Sequence, residues 1–305
     1  MAYQDMIGSA AAAQHLPRVR RIAPHDLIDA LKKGFEDFRA MPTHALFLCI
    51  VYPIAGLVIA RITIGYDFLP LLYPLASGFA LVGPVMALGV YELSRRRERG
   101  LDADWTHAFD LLQAESFRAI VALALLLLTI FVVWIATANA IYVAHFGYAA
   151  PASIGAFLHD VVTTEAGRSL IVIGNVVGFV FALVAFMVSV IGFPLLLDRE
   201  IGAIAAAATS VKAVLRNPFT MALWGLIVAT ALLLGSLPFF IGLAVVIPVL
   251  GHSTWHLYRK VVVSDLPLRE MHPRPPKGKR YAADFPAALF PVYDKDTKQN
   301  PTGKP

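Results

Sequence analysis

The sequence predicts an all-α polytopic membrane bundle, with six transmembrane helices and three cytoplasmic interfacial amphipathic helices. Three observations carry that expectation. Of 305 residues, 58% are hydrophobic and the mean hydropathy is +0.66. Only 15% are charged, against about 25% in soluble domains. The basic residues are also distributed unevenly between alternate connections.

A stretch of about 20 apolar residues is needed to cross the hydrocarbon core. Six such stretches stand at 45–64, 68–93, 118–144, 169–197, 219–236 and 237–258. Gly235-Ser236-Leu237-Pro238 divides the last two as a tight hairpin, because proline starts a helix more readily than it continues one. Of 26 lysines and arginines, only Arg61 and Arg168 fall on one side of this arrangement. The positive-inside rule places the other side, with both termini, in the cytoplasm. The net charge of +5 then faces anionic headgroups, and no nucleic acid is expected as a partner. Charges run through residues 1–44, so no cleavable leader is expected and the first span directs insertion.

An amphipathic segment precedes the first, third and fifth spans. In the first, Leu27, Ile28, Leu31, Phe35 and Phe38 form one face, opposite Asp29, Lys32, Lys33 and Asp37. The second presents Trp105, Phe109, Leu111 and Leu112, and the third Ile201, Ile204, Ala208, Val211 and Leu215. Each closes on a bulky apolar residue and an arginine: Phe38-Arg39, Phe117-Arg118 and Leu215-Arg216. The chain therefore reads as three units of one interfacial helix and two spans, at 25–95, 104–199 and 201–260. Residues 1–24 are expected to form a flexible cytoplasmic N-terminus, 25–262 the six-helix membrane domain, and 263–305 a cytoplasmic tail rich in proline and lysine. On the opposite side, Ile154, Phe157, Leu158, Val161 and Val162 predict a short helix lying on the outer interface.

Three motifs carry a family resemblance. They are Ile191-Gly192-Phe193-Pro194-Leu195-Leu196-Leu197-Asp198-Arg199, Asn217-Pro218 with Met221 and Trp224-Gly225, and the run from Pro248 to Arg259. Over about residues 25–265 the chain resembles a proteobacterial family of integral membrane proteins of unknown function, sometimes labelled cytochrome c oxidase subunits. The resemblance implies a respiratory setting and assigns no activity.

The residues themselves argue against a haem–copper catalytic subunit. Of nine histidines, only His252 and His256 fall inside a predicted span, too few to ligate haem and copper together. No enzymatic motif, cofactor site or metal site is expected. His252 and His256 lie one turn apart on one helix face, at the depth of Glu92 and Asp198. These four form the candidate polar cluster, read either as ion pairs with Arg95, Arg199 and Arg259 or as a proton or ion route. Gly174, Gly178 and Ala182 form a small-residue stripe for close packing of another helix, from this chain or a partner. Asn139 and Asn175 are expected to donate hydrogen bonds between helices. The leading reading is an accessory or assembly subunit of a respiratory oxidase or similar complex. Its rivals are a small transporter or channel and a lipid-binding protein.

Overall fold

A computed structural model describes residues 16–41, 54, 69–71, 73–75, 78, 83–85, 87–104, 116–148, 151, 153–238 and 240–263. The chain divides into Met1–Arg269 and Glu270–Pro305, and every described residue belongs to the first unit. The elements are β1 (Arg18–Val19), α1 (Pro24–Ala40), α2 (Leu88–Glu98), α3 (Phe117–Phe146), α4 (Ile154–Thr163), α5 (Glu165–Ser189), α6 (Gly192–Asp198), α7 (Ala203–Arg216), α8 (Pro218–Ser236), α9 (Leu243–Val261) and β2 (Val262–Val263), with a 3-10 turn at Leu69–Leu71. The expected span at 45–64, the central part of that at 68–93 and the interfacial segment at 105–115 lie outside the described residues.

Among the described residues, three stretches are long and apolar enough to cross a membrane: α3, the α5–α6 stretch Glu165–Asp198, and α8. Their side chains are mostly outward-facing, as a lipid solvent permits. α5 and α6 are one helix interrupted near Ile191. Pro194 has no N–H to donate to the carbonyl four residues earlier and its ring crowds that carbonyl. The break is satisfied locally, since Ile191 N–H donates to Ser210 Oγ at 3.1 Å. The 237–258 stretch is shorter as a helix than the sequence suggests. Residues 237, 238 and 240–242 lie in the turn, Phe240 adopts a φ of 64°, and α9 starts only at Leu243. The apolar half of α9 gives way after Gly251 to a buried polar half.

On the far side, Ser153 caps α4 by accepting from Ala156 N–H at 3.1 Å, and Thr164 caps α5 through Gly167 N–H at 2.9 Å. The short helix expected at 154–162 is present, with Ile154, Leu158 and Val162 outward. α3 packs along α5, where Trp134 meets Phe181 at 5.6 Å between ring centroids.

At the opposite end the elements close on one another. α1 packs along α9 through Leu27, Ala30, Gly34 and Asp37, whose three- and four-residue spacing makes one helix face. A Cβ on Gly34 would overlap Ser253 Oγ and stand 2.6 Å from Ser253 N, so the two backbones nearly touch. Residues 16–23, within the stretch expected to be a flexible lead, join this end, while residues 1–15 lie outside the described residues. β1 pairs antiparallel with β2, joining Arg18 to Val263 and Val19 to Val262. Asn217 completes the seam: its Oδ1 accepts from Ile22 N–H at 2.9 Å and its Nδ2 donates to Arg20 O at 3.1 Å.

Gly34→Ala should therefore cost about 3 kcal/mol through overpacking. Gly174→Ala, where the added methyl meets nothing within 4 Å, should stay within about 0.5 kcal/mol of wild type. Thermal unfolding of the two variants in detergent makes the comparison, and equal behaviour would show that α1 does not seat on α9 at Gly34.

Candidate functional site

The polar end of the bundle is built by α1, the last two turns of α2, α6 and the second half of α9. Charges reach this interior because the sequence puts Glu92, Arg95 and Arg96 on α2, Asp198 at the close of α6, and Arg259 and Lys260 in the last turn of α9. Basic residues at helix C-termini complement the dipole there, whereas a carboxylate such as Asp198 needs cations of its own.

The four residues expected as one polar cluster separate into two linked groups. The first is centred on Asp198, which is 1% exposed. Its Oδ1 accepts from Arg99 Nη2 at 2.9 Å and lies 3.7 Å from Arg95 Nε. Its Oδ2 accepts from Tyr258 Oη at 2.9 Å, Arg199 Nε at 3.2 Å and Arg259 Nη1 at 3.4 Å. Glu92, equally buried, accepts from Arg95 Nη1 at 3.0 Å and Arg96 Nε at 3.1 Å. Glu98 extends the network by accepting from Trp255 Nε1 and Arg259 Nε, each at 3.0 Å. Arg95 joins Glu92 of α2 to Asp198 of α6, and α9 reaches the same carboxylate through Tyr258 and Arg259.

The second group holds both histidines. Asp37 is 4% exposed, and its Oδ2 contacts His256 Nε2 at 2.8 Å and accepts from Ser94 Oγ at 2.6 Å. Arg97 pairs with its other oxygen, Oδ1. Ser94 Oγ also lies 2.6 Å from His252 Nδ1. Burial pushes the Asp37 carboxyl up, but hydrogen bonds from His256 and Ser94 outweigh it and hold the group below the ordinary carboxylate range.

Asp37 corrects the sequence reading, which put it on the polar outer face of α1 opposite Phe35. It is buried, while Phe35 and Ile28 are 49% and 56% exposed. Contact with α9 selects the stripe containing Gly34, since only glycine admits the approach, and Asp37 lies on that stripe three residues later. The signal was in the sequence as Leu27, Ala30 and Gly34 at helical spacing; the larger side chains of the neighbouring face obscured it. In α7 the expected apolar residues Ile204, Ala208 and Leu215 point outward, and its protein-facing side is Ala206, Thr209, Ser210, Ala213 and Val214.

Among the described residues, the small-residue stripe on α5 is used at one position. A Cβ on Gly178 would stand 2.9 Å from Trp134 of α3, whereas Gly174 faces open space and Ala182 is exposed. Asn175 is an interhelical acceptor, receiving Tyr73 Oη at 2.8 Å, while its own amide donates to Ile171 O within α5. Asn139 is exposed. Among the described residues, no group of three or more His, Cys, Asp or Glu side chains has the geometry to hold a metal ion.

A third contact clasps α1 to the end of α9. Lys260 Nζ lies 2.8 Å from Asp29 and 3.1 Å from Asp26. Hydrogen bonds from Lys260 and Lys33 hold the Asp29 carboxyl at about 2, below the ordinary 3.8. A depressed carboxylate stabilises the fold above its unfolded value, and the contribution is lost as pH falls through the folded one. The stability difference between wild type and Lys260→Met should therefore be present at neutral pH and shrink between about pH 4 and about pH 2. It should be small throughout, because Asp29 is well exposed. Thermal melts across that window check it.

Asp198→Asn should be far more damaging, by about 3–5 kcal/mol, because it leaves several guanidinium groups buried around a neutral amide. Unfolding in detergent, compared with an exposed control such as Glu36→Gln, measures the loss.

Residues 72–198 match the family model described as "Predicted integral membrane protein (DUF2189)", a stretch that contains α2 to α6 and ends on Asp198. No curated protein and no solved structure matches the chain. The chain is an integral membrane protein with several apolar helices, similar over residues 72–198 to an uncharacterised membrane family.

Proposed function

We propose that this chain is a non-catalytic accessory or assembly subunit of a larger membrane complex, with a bacterial respiratory oxidase as the first candidate. In this reading it crosses the inner membrane six times and keeps both termini in the cytoplasm. The observation that supports it best is the outer face of α5. Ile171, Val172, Val176, Phe179, Val180 and Leu183 are all exposed there, and a Cβ on Gly174 would meet nothing within 4 Å among the described residues, which leaves room for a close helix. Close approach at a small residue is how membrane helices gain van der Waals contact that lipid cannot match. The ion-paired end suits a rigid support, since its carboxylates are engaged by neighbouring arginines, serine, tyrosine or histidine. The oxidase assignment rests on the family resemblance of the three sequence motifs.

Affinity purification of the tagged full chain in mild detergent, with mass spectrometry and a visible spectrum, tests the reading. Oxidase subunits should co-purify in stoichiometric amount, and Gly174→Leu should reduce their recovery several-fold without changing the level of the chain itself. A lone, colourless homo-oligomer would overturn the accessory role in favour of transport or lipid binding. A reporter fused after Pro305 should read cytoplasmic and one near Pro151 extracytoplasmic.

A further inference from the structure

Proton counting around Ser94 distinguishes the two nitrogens of His252. Asp37 is held ionised by three neighbours, so it can only accept. Ser94 has one hydroxyl proton and donates it to Asp37 Oδ2. The remaining contact of Ser94 Oγ, at 2.6 Å to His252 Nδ1, therefore takes its proton from the ring. A neutral His252 with its proton on Nδ1 presents a bare lone pair at Nε2. That atom is fully buried, on a side chain 0% exposed, and has no hydrogen-bond partner among the described residues. A buried acceptor left in this state is costly. Four groups surround the ring: Asp37 from α1, Ser94 and Arg97 from α2, and His256 one turn along α9.

We propose that His252 Nε2 is a proton-binding site of the membrane domain, with Ser94 and Asp37 as its built-in counter-charge. A proton delivered by hydronium forms the Nε2–H bond as the hydronium O–H bond breaks, and water leaves. The ring becomes an imidazolium whose Nδ1–H stays on Ser94, and the carboxylate of Asp37 balances the charge through that hydroxyl. Burial opposes loading most, and His256 and Arg97 add to it, so the site fills only at acidic pH and only as far as Asp37 offsets them. His252 follows the apolar half of α9 directly, which makes it the first ionisable group met on leaving that half. The site is separate from the accessory role and stands or falls without it.

Nitrogen-15 spectroscopy of histidine-labelled full-length protein in lipid nanodiscs tests the proposal, with His252 identified by backbone correlation. At about pH 8 the ring should be neutral and protonated on Nδ1, and acidification should convert it to the imidazolium in one step. Ser94→Ala should weaken proton binding about tenfold or more, the scale of one hydrogen bond to a charged group. A proton on Nε2 at the higher pH, no imidazolium down to about pH 3, or an unmoved midpoint in Ser94→Ala would each overturn it. If Ser94→Ala fails to insert, the wild-type tautomer and its titration decide the matter alone.

Discussion

The near-contact of α1 and α9 at Gly34 and Ser253 determines much of what the polar end of this protein can be. Two helices that close leave no room for side chains between them, so whatever stands beside the crossing is pressed into the interior. On α1 that residue is Asp37, and on α9 it is His252. Neither would stay buried without partners, and α2 supplies them as Ser94 and Arg97. The backbone approach therefore comes first and the polar chemistry follows from it.

The second constraint is the burial of Glu92 and Asp198 beside arginines. Replacing such a set by apolar side chains is often neutral for stability, whereas removing one member is not. Specificity is the better explanation for keeping it here. An apolar end would let α6 and α9 slide or rotate against α2, while Asp198 accepts only where Arg99, Arg199, Tyr258 and Arg259 converge. The network fixes how three helices meet at the level where the apolar spans stop.

Much of the helical plan was legible in the sequence because lipid and water impose a coarse code: α3, the α5–α6 stretch and α8 fall where hydropathy puts them. Proline marked the α8–α9 turn, although Phe240 at positive φ delays the returning helix to Leu243. Glu92, Asp198, His252 and His256 could be picked out as a group because buried charge is rare. Their division into two groups could not, since it depends on Asp37, more than two hundred positions from His256. The face of α1 was misread for a related reason. Hydrophobicity ranks Phe35 above Gly34, but close packing ranks them the other way. Asn217 stood out as part of a motif, yet its task of holding Ile22 and Arg20 comes from a strand pairing two residues long, below any periodic signal.

The pairing of β1 with β2 joins Arg18–Val19 to the two residues that follow α9. A ribosome delivers Asp37 long before His256, and 219 positions separate them. Closing a loop of that size costs little more entropy than closing a shorter one, but it cannot happen until α9 has been made. Until then α1 has a buried-type stripe with nothing to bury against and a carboxylate with no histidine. A nascent or truncated chain thus displays a defect that only completion of α9 removes.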